Sequence, residues 1–264
     1  MKEKMHRILE RMHRYNANNM AELAFGFDLN ETYDALVVAP SFTPYKLELD
    51  KYCKVTTLKE GAYIAGYLVE KDDLKIAWIK VGSSAGNCID HVAVCAELNF
   101  KKMIFIGAVG ALKPEFGLGD VCTPSFSISG SLADTFLKDS IRDYVPFEKI
   151  TPESRFIDKV VRAGADKGYD IKKASVFCTP SIALEYYHLD EILAFGADLI
   201  EMETASFYQM AELMEIDSVA LLVVSDNSAT GAALVGRSEE EQARYNVGRL
   251  KVLPDMIFTV AKMD

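Results

Sequence analysis

The chain has 264 residues, half of them hydrophobic, and a formal net charge of −10 from 29 basic and 39 acidic side chains. That is enough apolar surface for one large core. So acidic a surface lacks the footprint of a non-specific nucleic-acid binder and points instead to a small polar substrate.

The N-terminus, MKEKMHRILERMHRYN, is charged throughout. It reads as an amphipathic helix within an N-terminal extension, residues 1–30, rather than as a signal peptide. No apolar stretch approaches the ~20 residues of a membrane span, so no membrane association is expected. The cysteines, Cys53, Cys88, Cys95, Cys122 and Cys178, are odd in number and form no C-x-x-C pair. They read as buried free thiols, which fits a cytoplasmic protein. His6, His13, His91 and His188 show no metal-ligand spacing, so neither a metal nor another cofactor is expected.

Along the chain, DALVVAP (34–40) predicts a buried strand. The runs 62–69 and 74–81 flank EKDD and predict a hairpin. Residues 86–98 carry helical spacing, MIFIGAV (103–109) is an apolar strand leading into a loop at Gly107–Gly110, and 120–129 is another strand. The polar segment 130–155 reads as an excursion. A helix at 153–167, a strand at 172–179 and helices at 187–195 and 202–216 follow. The last central strand is 218–226, and a closing helix, 238–262, is expected to kink at Pro254. No internal repeat or linker interrupts this order. Apolar strands alternating with helices predict one α/β domain with a central twisted mixed sheet covered on both faces. Its ligand site belongs outside the carboxyl ends of the strands.

Those ends carry unusual residues. Ser41–Lys46 follows the first strand, Gly82–Asn87 opens a helix, and Gly107–Leu112 is rich in small residues. Small residues let backbone N–H groups approach a ligand, although turns also need glycine for its own sake. Leu-Ile-Glu-Met-Glu-Thr-Ala (199–205) sets two carboxylates at a helix start, where the macrodipole alone accounts for one. Asp226 ends an apolar run, where an N-cap is the plain alternative.

Glu201-Met202-Glu203-Thr204-Ala205 followed some twenty residues later by Val224-Ser225-Asp226 resembles the signature of the purine nucleoside and uridine phosphorylases. That family also includes methylthioadenosine and AMP nucleosidases. Gly107–Leu112 followed by Phe116–Val121 is similar to its glycine segment and next strand, and the resemblance runs from about residue 34 to 262. It implies cleavage of the N-glycosidic bond of a nucleoside, a purine before a pyrimidine. Glu203 would hold the ribose hydroxyls, Met202 would pack on the sugar and Asp226 would protonate the departing base. Ser181 and Ile182 fall where the family places its base-stacking residue, with Phe177 and Tyr186 as nearby aromatic substitutes. The resemblance also implies a homo-oligomer, a dimer or hexamer, in which His6 or His13 reaches a neighbour's site; the N-terminal helix and 62–69 are candidate interface elements.

The sequence departs from the family at the anion grip: Phe105 stands where an arginine is expected and Ala108 where a serine is. The remaining candidates for a nucleophile or anion pocket are Ser41, Lys46, Ser83, Gly107, Ala108 and Arg237. Backbone and hydroxyl donors suit water better than a phosphate dianion, which calls for charge compensation. Hydrolysis is therefore preferred, with phosphate as a possible co-substrate of a phosphorylase and a non-catalytic nucleoside-binding protein as further alternatives.

Overall fold

The computed structural model describes residues 1–263. Its main sheet is built from β1 (Ala35–Ala39), β2 (Lys54–Lys59), β3 (Ala65–Lys71), β4 (Leu74–Lys80), β5 (Met103–Ala111), β6 (Val121–Ser129), β7 (Lys149–Ile150), β8 (Ile171–Cys178), β9 (Leu199–Glu201) and β10 (Ser218–Asn227). The strands run in the order β9-β8-β6-β10-β5-β1-β4-β3-β2, with β7 against β6. β3 and β4 form the expected antiparallel hairpin. β1, β4, β5 and β10 are parallel neighbours, whereas β6 runs antiparallel to β10, so the sheet is mixed as its apolar strands predict.

β9 pairs with β8 on one side and with β5, antiparallel, on the other. The pairings β5–β10–β6–β8–β9–β5 therefore close into a small barrel, and the remaining strands extend from it as an open wing. Helices α1 (Glu3–His13), α2 (Met20–Phe25), α3 (Ala85–Val94), α4 (Ser154–Asp166), α5 (Ile182–Glu185), α6 (Leu189–Ala194), α7 (Thr204–Met214), α8 (Glu239–Val247) and α9 (Leu253–Ala261) cover it. α7 is buried along nearly its whole length, which explains its weakly amphipathic sequence.

Several expectations need correction. Residues 107–110 are not a loop: β5 continues through Ala111 because β10 and β9 supply partners there. The excursion 130–155 does hold a short helical stretch, the 3₁₀ segment Leu132–Leu137, as an excursion loop with a short helix would, and it adds the unexpected short strand β7. The closing helix is interrupted before Pro254, by a π-helical turn at Gly248–Val252. Pro254 itself sits in the first turn of α9, where its missing N–H is tolerated. The N-terminal stripe is already used within the chain, since Met5 and Leu9 are buried in the core. In the run 62–69, Ala65, Tyr67 and Val69 are likewise buried, inside the sheet.

Under the end of β10, Gly119 and Gly248 touch. A Cβ on Gly248 would run into the Gly119 carbonyl and lie 2.9 Å from Val223. Gly119 also has φ +85°, a left-handed conformation that favours glycine. Gly248→Ala is expected to destabilise the protein by about 1–3 kcal/mol through overpacking. A urea midpoint equal to that of the unmodified chain is the result that counts against this packing.

Candidate active site

The carboxyl ends of the strands converge on a cavity of about 140 Å³. Pro40 and Ser41 reach it from the end of β1, Ser83 from the turn after β4, Gly107, Ala108 and Gly110 from β5, Thr179 from the end of β8, and Ser225 and Asp226 from β10. Met202 and Glu203 enter between β9 and α7, and Ile182 and Glu185 from α5.

The two glutamates of 201–203 have different surroundings. Glu201 is buried, and its carboxylate accepts from the backbone N–H of Glu203 (2.8 Å), the backbone N–H of Thr204 (3.0 and 3.1 Å), the Thr204 hydroxyl (2.8 Å) and the Cys178 thiol (2.9 Å). It satisfies the otherwise orphaned donors at the start of α7 and ties that helix to β8. Glu203 is 4 % exposed, and its Oε1 has no hydrogen-bond partner among the described residues. Burial pushes its pKa well up, the Glu201 charge adds to this, and the nearby backbone amides of Met202 and Ser84 oppose it. A buried carboxylate oxygen without a partner calls for a ligand donor.

Asp226 is set by a β-bulge. In the β5–β10 ladder Val224 pairs with Val109 and Asp226 with Gly110, which leaves Ser225 as the extra residue. The bulge re-aims the side chain that follows it. Gly110 makes the room, since a Cβ there would lie 2.9 Å from Asp226 Oδ2. Asp226 Oδ1 accepts from the Ser225 hydroxyl at 2.6 Å. Burial raises its pKa, while the Ser225 hydrogen bond and the Arg237 charge partly offset the rise.

The expected residues divide. Ser41, Ser83, Gly107, Ala108, Ile182, Met202, Glu203 and Asp226 all line the cavity. Lys46 does not: its Nζ donates to the Ser41 carbonyl at 2.9 Å. Arg237 does not either; its Nε donates to the Ser225 carbonyl at 2.8 Å and its guanidinium lies over Tyr245. Phe105 is a core residue stacked near Phe207, with ring centroids 5.4 Å apart. Phe177 and Ser181 face a neighbouring cavity of about 360 Å³. Strand alternation explains Phe177: Cys178 points toward α7, so its predecessor points the other way, into a cluster with Phe147 and Phe195. Ser181 serves as the N-cap of α5. Tyr186 is half exposed and outside the cavity, and His13 is engaged with Glu97 at 2.8 Å.

Glu185 was missed. It is 8 % exposed, lines both cavities and has its pKa pushed up to about 7 by burial and by the charge of Asp226. α5 has only four residues, too few for any periodicity to mark which side chains face inward.

The chain matches the phosphorylase superfamily over residues 35–252. It belongs to that superfamily. Among curated relatives it is 27% identical over 157 residues to a DeoD-type purine nucleoside phosphorylase of Caldanaerobacter subterraneus subsp. tengcongensis, covering 58% of this chain and 62% of that protein. It is 29% identical over 158 residues to the DeoD-type enzyme of Alkaliphilus metalliredigens, covering 60% and 64%. Both matches thus span less than two thirds of the relative's length. Among solved structures of the same fold, an AMP nucleosidase from Bacteroides thetaiotaomicron aligns with a TM-score of 0.64 at 20% identity, covering 95% of this chain and 98% of that one. A Campylobacter jejuni 5′-methylthioadenosine/S-adenosyl homocysteine nucleosidase aligns with a TM-score of 0.67 at 15% identity, covering 88% and 99%. The mixed sheet and flanking helices of this superfamily member are therefore shared by nucleosidases.

The buried acids make a prediction about pH. Glu185, Glu203 and Asp226 have folded pKa values above their unfolded ones. The folded state then holds protons that the unfolded chain releases, so the stability present at low pH is lost as the pH rises. For Glu185 the window runs from 4.5 to about 7. The melting temperature is expected to fall between about pH 5 and pH 8, and less steeply in Glu185→Gln. A melting temperature that climbs over this interval contradicts the assignment. Glu203→Gln is expected to match or exceed the unmodified chain in stability at neutral pH, whereas Glu201→Gln is expected to lose roughly 1–3 kcal/mol because it disrupts a fully used acceptor.

Proposed function

We propose that this chain hydrolyses the N-glycosidic bond of a purine nucleoside. The observation that carries the reading is the pairing, in one cavity, of a buried Glu203 whose Oε1 has no partner among the described residues with a buried, protonatable Asp226, while no lysine or arginine is among the lining residues. Glu203 accepts hydrogen bonds from the ribose 2′- and 3′-hydroxyls, and Met202 packs on the sugar. As the bond from C1′ to the base breaks, its electron pair leaves with the base and the sugar becomes oxocarbenium-like. Asp226, whose affinity for a proton is raised by burial, gives a proton to N7 so that the base departs neutral. A water held by backbone groups of 107–110 and the hydroxyls of Ser41 and Ser83 adds to C1′. The proton it loses balances the one taken up by the base.

Water is favoured over phosphate because a dianion would enter a cavity lined by Glu185, Glu201, Glu203 and Asp226 without a cation of its own. Lys46 and Arg237, hydrogen-bonded to the backbone on either side, are the groups a phosphorolytic reaction would have to recruit. The reading extends to a cytoplasmic homo-oligomer. Leu132, Phe136, Ile141 and Val145 in the excursion and Leu184 and Tyr187 on the adjoining helices are exposed apolar side chains for such an assembly to cover. No helix among the described residues is long and apolar enough to cross a membrane.

Product analysis tests the chemistry. Purified protein incubated with purine nucleosides is expected to release free ribose at the same rate with or without phosphate. Ribose 1-phosphate, formed only when phosphate is added, overturns hydrolysis and points to Lys46 or Arg237. Asp226→Asn is expected to lower kcat by about 10²–10⁴-fold, the usual worth of a positioned acid. For the assembly, light scattering at micromolar concentration is expected to give a mass above the 29.3 kDa of one chain.

A further inference from the structure

Glu185 is the cavity's remaining carboxylate without an assigned role. Glu201 is occupied by α7 and Cys178, Glu203 faces the sugar, and Asp226 faces the departing base. Glu185 lies one turn after Ile182 on α5, whose start is fixed by Ser181 accepting from the Leu184 N–H at 3.3 Å. Glu185 is 8 % exposed, lines this cavity and the neighbouring one, and its carboxyl feels burial and the charge of Asp226. Glu185 and Asp226 line the same cavity, near enough for the charge of Asp226 to act on Glu185. A carboxyl in the lining beside Asp226 can give or accept a hydrogen bond with a ligand held there.

The inference rests on the reading of the site as one that cleaves purine nucleosides. With N7 at Asp226, the next group along that edge of the purine is the substituent at C6, an amino donor or an oxo acceptor. We propose that Glu185 reads this substituent, accepting from a 6-amino group when ionised and donating to a 6-oxo group when protonated. The substrate class is then the 6-substituted purine nucleosides, and the preference between amino and oxo depends on pH. The charged and titratable groups around Glu185 are Asp226 on β10, Arg237 beyond it, Glu201 and Glu203 at the head of α7, Tyr186 on its own segment, and His188 and Glu191 across the neighbouring cavity. Asp226 acts directly on Glu185 and favours its protonated form.

The test compares kcat/KM for adenosine, inosine and unsubstituted purine riboside between about pH 5.5 and pH 8, where Glu185 titrates and the nucleosides do not. Purine riboside serves as the reference for each protein, and the adenosine-to-inosine ratio cancels the titration of Asp226. In the unmodified chain this ratio is expected to rise by about tenfold across the range, the worth of one buried charge-assisted hydrogen bond. In Glu185→Gln, whose amide both donates and accepts but does not titrate, the ratio is expected to be flat. In Glu185→Leu both 6-substituted nucleosides are expected to lose ground to purine riboside. A flat ratio in the unmodified chain, or a slope that survives in Glu185→Gln, overturns the inference while leaving the nucleosidase reading intact. Failure of the unmodified chain to cleave any of the three overturns both.

Discussion

The arrangement of the site depends on how completely Glu201 is occupied. Its two carboxylate oxygens collect donors from Glu203, Thr204 and Cys178. In doing so they fix the first turn of α7 against the ends of β8 and β9. Because Glu201 takes the donors that the helix start provides, Glu203, two residues on, is left with an oxygen that nothing among the described residues satisfies. One carboxylate anchors the helix so that its neighbour can stay open to a ligand. The buried length of α7 holds this arrangement in place.

The same division runs through the electrostatics. The protein is rich in surface ion pairs, such as Lys54–Glu70 and Lys75–Glu31, which are worth little individually. The cavity has none. Its acids are held without counter-ions and shift toward their protonated forms, which suits the proton transfer proposed for the site. Arg237 and Lys46 stand just outside, each held by a backbone carbonyl. Arg237 moderates the acidity of Asp226 from that distance without neutralising it.

Much of this was legible in the sequence. Apolar runs marked the strands of the sheet, and the order of motifs brought Gly107, Glu203 and Asp226 to one end of it. What stayed hidden was set by tertiary pairing. The continuation of β5 through Ala111 depends on β9, a three-residue strand too short to announce itself. The orientation of Phe177 away from the cavity depends on which face of β8 meets α7, which two candidate aromatics near a strand end do not disclose. The bulge at Ser225 is a register event between two strands, and Gly110 records it in sequence only as one more glycine. Glu185 escaped because a four-residue helix carries no periodic signal.

The closed ring of β5, β10, β6, β8 and β9 governs how the pocket can open. A strand within such a ring has neighbours on both sides and no free margin from which to peel. Gly107, Ala108, Gly110, Ser225 and Asp226 therefore form a rigid floor. Any breathing that admits a substrate falls to what lies outside the ring: the short α5 carrying Ile182 and Glu185, and the irregular stretch 228–237 carrying Leu234. Gatekeeping and chemistry are thus carried by different parts of the chain. Exchange at the door can be altered by changing those two segments, with the floor that aims Asp226 left undisturbed.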